Sequence, residues 1–194
     1  MNRRPPKKKS EPLFPGDQDS LILFEGTGTT RHLEVLTNVA IFSGSFNPLH
    51  HGHQQLQRVA VQELNLPVVF ELSVTNAEKQ TLSESDVRTR LDQFGAFDVA
   101  VTQCTLFAEK AKLFPGCWFV VGFDTAARIL DPRFYQHNQT QLRDALQTLS
   151  NNGNRFFVGG RLSGDRSQFC SVDELTIPGE FCQLFSGVSE QRFR

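Results

Sequence analysis

Ten consecutive residues concentrate the chemistry open to this chain: Gly44-Ser45-Phe46-Asn47-Pro48-Leu49-His50-His51-Gly52-His53. His50 and His53 stand three positions apart, so a helix beginning near His50 puts both imidazoles on one face of its first turn. The same turn offers free backbone N–H groups and the positive end of the helix dipole, which together suit an anion. Gly44 lets the backbone approach a phosphate closely, small Ser45 keeps that path open, and Gly52 leaves room between the imidazoles for a triphosphate. Imidazoles so placed can donate hydrogen bonds to phosphoryl oxygens as charge builds in a transition state. A lone histidine is usually a core or surface residue, but a ten-residue pattern at a strand-to-helix junction outweighs that default for His50 and His53. His51 fills a variable slot and is given no role.

A site of this kind needs a strand running into it and a helix leaving it, and the flanking residues supply both. Val39 to Phe42 form a short apolar strand. The helix from about His50 has Leu56, Val59, Ala60 and Leu64 on its inward face and ends at the Leu66-Pro67 break. Val68, Val69, Phe70, Leu72 and Val74 make the next strand. Ser83-Glu84-Ser85-Asp86 resembles a capping box and opens a helix through Val87, Leu91 and Phe94 that Gly95 closes. Strands at Val99–Thr102, Cys117–Val121 and Arg155–Val158 alternate with helices at Leu106–Leu113, Thr125–Leu130 and Gln139–Leu149. Such alternation predicts an α/β fold: a Rossmann-like open, mostly parallel sheet with helices on both faces, in a single domain. In that architecture ligands bind beyond the carboxyl ends of the strands, where the ten-residue segment lies.

Composition narrows the classes. The chain is 39% apolar and 21% charged with a net charge of −1, so no overall basicity points to nucleic acid. Residues 1–19 hold five basic and three acidic residues, which leaves 15 basic and 18 acidic residues and a net of −3 for residues 20–194. Prolines and charges make residues 1–19 a disordered basic tail by expectation, with residues 20–194 the folded domain. Arg3 to Lys9 read as a solvated stretch in preference to an address or an anion-binding arm. The four cysteines show no paired metal-ligand spacing, and nothing resembles a membrane span or a signal peptide. A reducing, cytoplasmic setting is expected, with neither membrane nor nucleic acid as partner and no dedicated protein metal site.

The ten-residue segment resembles the signature of the nucleotidyltransferase superfamily that includes nicotinamide and nicotinate mononucleotide adenylyltransferases. Asn47 sits where cytidylyltransferases usually carry Asp. Phe70 to Lys79, Phe114-Pro115-Gly116, Val120 to Pro132 and Phe157 to Arg161 resemble a subgroup, the cytidyltransferase-like domain proteins, so the likeness covers roughly residues 38–161. The resemblance implies a transferase that moves a nucleotidyl group from ATP, with Mg2+, to a phosphorylated small-molecule acceptor such as nicotinamide or nicotinate mononucleotide. It implies His50 and His53 as catalytic residues. It also implies nucleotide binding through Gly44, Ser45, Phe46, Asn47 and Gly52, through Lys79 at the phosphates, and through Gly122 and Asp124 at a ribose. Arg161, just past a strand end, is a further phosphate candidate. For Asp124 a helix N-cap is the structural alternative.

The superfamily has a second signature, Ile-Ser-Ser-Thr-x-x-Arg, which grips the ATP phosphates. Here either Val188 to Arg194 is a degraded copy, with Glu190 and Gln191 where hydroxyls belong, or Gln191 to Arg194 correspond to a segment just before the signature; the second alignment is preferred. A non-catalytic nucleotide-binding relative and a cytidylyltransferase therefore stand as alternatives. Weaker signals are read conservatively. Gly26-Thr27-Gly28-Thr29-Thr30 follows a short strand and lacks the Gly-Lys-Ser/Thr ending of a phosphate loop, so a turn is expected. Trp118 belongs to the core, and Arg88 and Arg90 are either solvated or near phosphate.

Overall fold

The computed structural model describes residues 13–75, 81–162 and 169–188. Its elements alternate as the periodicity requires. A hairpin of β1 (Leu21–Phe24) and β2 (Thr30–Leu33) precedes β3 (Ala40–Ser43), and α1 (His51–Leu64) follows. Then come β4 (Val68–Ser73), α2 (Glu84–Leu91), β5 (Val99–Thr102), α3 (Phe107–Leu113), β6 (Trp118–Gly122) and α4 (Phe123–Ile129). The chain continues through α5 (Gln139–Asn151), β7 (Arg155–Gly159), the small hairpin β8 (Arg161–Leu162) and β9 (Phe169–Cys170), and β10 (Phe185–Gly187).

Eight strands form one sheet in the order β10-β7-β6-β3-β4-β5-β1-β2. All neighbours from β10 to β5 are parallel, whereas β1 runs antiparallel to both β5 and β2. The architecture is a single α/β domain, broadly Rossmann-like, with a mixed and mostly parallel sheet. Strand residues divide between the two faces by their period of two. Ala40, Phe42, Val68, Phe70, Val120 and Phe157 meet α1 and α2 through Leu56, Val59, Ala60 and Val87. Ile41, Val69, Phe119, Val121, Phe156 and Val158 meet α3, α4 and α5 through Ala111, Ala126, Leu142 and Leu146. Strands buried on both sides explain the near-continuous apolar runs.

Three strands of the sheet lie outside the five anticipated from the sequence or were seen only in part. The Gly-Thr-Gly-Thr-Thr segment is the turn of the β1–β2 hairpin, closed by the Glu25 N–H donating to the Thr29 carbonyl at 2.8 Å. β2 alternates too weakly, as Thr-Arg-His-Leu, to register as a strand. β10 is only three residues long. The folded body also reaches back into the segment assigned to the tail. Leu13 is buried in the face shared with α1, and the Pro15 carbonyl accepts a hydrogen bond from Gln103 Nε2 at 2.7 Å. Among the described residues no helix is long and apolar enough to cross a membrane.

Candidate functional site

β3 has β4 on one side and β6 on the other. The chain leaves β3 through α1 on one face of the sheet and leaves β6 through α4 on the opposite face. The two connections diverge there, and a crevice opens at the carboxyl ends of the strands. A cleft of about 500 Å3 occupies this position. Its floor is the ends of β3, β6 and β7, at Ser43-Gly44, Gly122 and Gly159-Gly160. His50, Gly52, His53, Gln55 and Leu56 border it from α1, and Phe123, Asp124, Thr125, Arg161 and Phe169 from the other side.

The entry into α1 determines how the histidines stand. His50 is the N-cap, in extended backbone conformation, and its carbonyl accepts the His53 N–H at 2.9 Å. In return the His50 backbone N–H donates to Nδ1 of His53 at 3.2 Å. A neutral imidazole that accepts at Nδ1 carries its proton on Nε2, so the tautomer is set by this bond. The two rings stack with centroids 3.7 Å apart. Burial, and then the proximity of His50, push the His53 pKa down from 6.5 to about 4. At neutral pH His53 is therefore an uncharged donor through Nε2–H.

The loop before the helix is pinned from beneath. Phe46 is 1% exposed and packs edge-on against Phe42, Phe70, Phe94 and His53. Its side chain belongs to the core, below the loop, so a nucleotide would meet this residue through its backbone and not its ring. Gly44 also has a reason that the sequence reading did not supply, because a Cβ there would stand 2.8 Å from the Phe46 ring. Ser45 lines the cleft and is exposed, whereas Asn47 is exposed but lies outside the lining. Lys79 lies outside the described residues.

On the far side, Asp124 is in the first turn of α4 but does not cap it, since Gly122 is the N-cap. Its carboxylate pairs with Arg161 Nε at 3.1 Å. The Arg161 guanidinium also lies 6.0 Å from the Phe123 ring centroid. A Cβ added at Gly122 would meet no atom within 4 Å, so packing does not demand glycine there and the open space is on the cleft. Gly52 is tighter, its Cβ position being 3.2 Å from the His50 ring.

Trp118 begins β6, at the amino end of the strand and so away from the cleft, and packs against the core with Arg155 over its ring at 5.5 Å. Arg90 reaches the Ser45 carbonyl at 2.9 Å rather than the cleft itself. Several cleft-lining residues carried no site role in the sequence reading, among them Ser43, Phe123, Gly159 and Phe169. Ser43 lines the floor and its Oγ is buried without a hydrogen-bond partner. Phe123 and Phe169 add aromatic surface, and Gly159 admits Leu56, which would lie 2.6 Å from a Cβ. The Gly159-Gly160 pair after an apolar strand was the available signal for the last; Phe169 had none, since its place depends on the β8–β9 hairpin.

Behind the floor, on the α3 side, Glu71 and Lys110 form a buried pair, with Nζ 2.6 Å from Oε2 and Thr102 Oγ1 donating to Oε1 at 2.5 Å. Among the described residues no group of three or more His, Cys, Asp or Glu side chains is arranged to hold a metal ion. No protein-family model matches this chain, and no curated protein matches it significantly.

Proposed function

We propose that the chain is a nucleotidyltransferase that moves a nucleotidyl group, adenylyl from ATP, onto the phosphate of a small-molecule acceptor such as nicotinamide or nicotinate mononucleotide. The observation that carries this reading is the convergence of His50, Gly52 and His53 with Gly122, Asp124 and Arg161 around one cleft at the topological switch point. The acceptor phosphate would attack the α-phosphorus in line. A new P–O bond forms as the bond from the α-phosphorus to the bridging oxygen breaks, and pyrophosphate leaves with that electron pair. No covalent enzyme intermediate is needed, so positioning and charge stabilisation carry the catalysis.

In this mechanism the free N–H groups at the start of α1 receive triphosphate oxygens. His53 donates through Nε2–H to the transferring group, and His50 stands beside it. Asp124 accepts from ribose hydroxyls, which requires it to exchange its Arg161 partner for the ligand, and Arg161 turns to phosphate. The cleft has one carboxylate, Asp124, among its lining residues. That donor set fits a magnesium ion carried on triphosphate oxygens and water, not one caged by protein. Such an ion would supply charge screening for the triphosphate, with Asp124 the one lining carboxylate among the described residues that could approach it.

A second reading, nucleotide binding without turnover, is favoured by the pairing of Arg161, the one Lys or Arg lining the cleft among the described residues, with Asp124. Incubation with ATP or CTP plus a mononucleotide, following pyrophosphate release alongside calorimetric binding, separates the readings. Turnover with ATP supports the first. Binding without turnover supports the second, and turnover with CTP alone would make the chain a cytidylyltransferase.

A further inference from the structure

The cradle formed by residues 45–49 is held by side chains from a different helix. Gln93, in the turn after α2, accepts the Leu49 N–H on Oε1 at 2.8 Å and donates from Nε2 to the Phe46 carbonyl at 3.4 Å. Arg90, one turn earlier, donates to the Ser45 carbonyl at 2.9 Å. Three backbone groups of the loop that enters α1 are thereby satisfied from α2 and the turn that follows it, across more than forty residues of sequence. Phe94, next to Gln93, packs on Phe46 with centroids 5.3 Å apart, which fixes the loop and the α2 end to one another through the core as well.

The geometry points to Gln93 as the positioning residue of the phosphate cradle, with Arg90 as its auxiliary. The primary amide suits this place because it both donates and accepts, so one side chain spans the Phe46 carbonyl and the Leu49 N–H. Those two groups bracket Asn47 and Pro48, immediately before the N-cap His50. A shift there moves the start of α1, and with it the N–H groups and both imidazoles. Small displacements of positioning groups weaken transition-state contacts more than they weaken the fold. The inference rests on the proposed nucleotidyl transfer for its consequence, but not for its mechanical content.

The test compares Gln93→Met, which keeps length without polar atoms, with Gln93→Glu, which keeps the acceptor for Leu49 but loses the donor for Phe46. Amide hydrogen exchange is followed by NMR in the free full-length proteins, and initial rates with ATP and mononucleotide are measured in parallel. In Gln93→Met the Leu49 amide should exchange about tenfold faster, the size expected for one lost hydrogen bond. Gln93→Glu should restore most of that protection. The ATP rates should show the larger fall in kcat for Gln93→Met, while core amides such as that of Val120 keep their exchange rates. Unchanged Leu49 exchange in Gln93→Met, or equal loss at Leu49 and in the core, would overturn the inference. If the wild-type protein binds no nucleotide while Leu49 responds as expected, the proposed function fails and the positioning role stands.

Discussion

The Asp124 carboxylate and the Arg161 guanidinium meet at 3.1 Å across the end of the cleft, joining the first turn of α4 to the strand that follows β7. Both side chains are well exposed, at 66% and 49%, so water screens the pair and its contribution to folding is small, of order 0–1 kcal/mol. On the proposed reading their value is in what they present to a ligand. A polyphosphate with a ribose offers each of them a better partner than the other: hydroxyls for the carboxylate and phosphoryl oxygens for the guanidinium.

Arg161→Ala and Asp124→Asn should therefore both leave the thermal midpoint within about 2 °C of wild type, as expected for exposed pairs in a domain of this size. Their binding effects should differ. Arg161→Ala should weaken ATP binding by about tenfold through loss of a charge-assisted contact. Asp124→Asn should weaken adenosine-containing ligands but spare inorganic pyrophosphate. Calorimetric titration with ATP and pyrophosphate reads the contrast, and identical responses of the two variants would remove the assigned division of labour.

Removing the imidazole of His53 tests the catalytic role proposed for it. His53→Ala should lower pyrophosphate release by about a hundredfold, the cost of one well-placed donor to a developing charge. The His53 ring is only half-buried and caps no other helix, so circular dichroism should show the fold retained. Full activity in a folded variant would exclude His53 from the mechanism.

The depressed His53 pKa makes a stability prediction of definite sign. In the folded chain the group titrates at about 4, below its ordinary 6.5, so between those values the unfolded chain binds more protons. Stability from this residue is complete above about pH 6.5 and is lost as pH falls toward 4. Protonation at Nδ1 would also break the bond from the His50 N–H. Midpoints recorded from pH 7.5 to 4 should fall further for wild type than for His53→Gln, which has no group titrating there. Parallel curves would show that the residue is not desolvated as described. Saturating ATP should shift the wild-type transition to lower loss at acid pH, because phosphate favours the imidazolium.

How far these relationships could be read in advance depends on their range. The strand, loop and helix around His50 and His53 were legible because the chemistry and its scaffold are contiguous, with the strand period giving way to the α1 pattern of Leu56, Val59 and Ala60. Long-range features were not. Phe46 looked like part of a binding motif, yet its ring is drawn into the core by Phe70 and Phe94, which are 24 and 48 positions away. The Gln93 clamp joins groups 44 and 47 positions apart, and a glutamine near a helix end carries no pattern of its own. Glu71 interrupts an apolar strand, and only the packing of α3 against β4 reveals that Lys110 neutralises it.

That buried pair makes the strongest stability prediction. Glu71 is fully buried and Lys110 is 5% exposed, with Thr102 satisfying the second carboxylate oxygen. Lys110→Met leaves a carboxylate buried with one hydroxyl partner. Breaking one side of such a pair costs about 3–5 kcal/mol, because the remaining charge has neither solvent nor counterion. The double substitution Lys110→Met with Glu71→Gln should recover most of that loss, since the amide needs no counterion and Thr102 can still bond to it. Urea denaturation of the wild type, both single variants and the double variant forms the cycle. A coupling energy near zero would show that the two groups are solvated independently. The Glu71 carbonyl also accepts the Gly44 N–H at 3.2 Å, so a displaced β4 would pull on the loop before α1. Lys110→Met should therefore weaken ATP binding even under conditions in which it is fully folded, and the double variant should restore it.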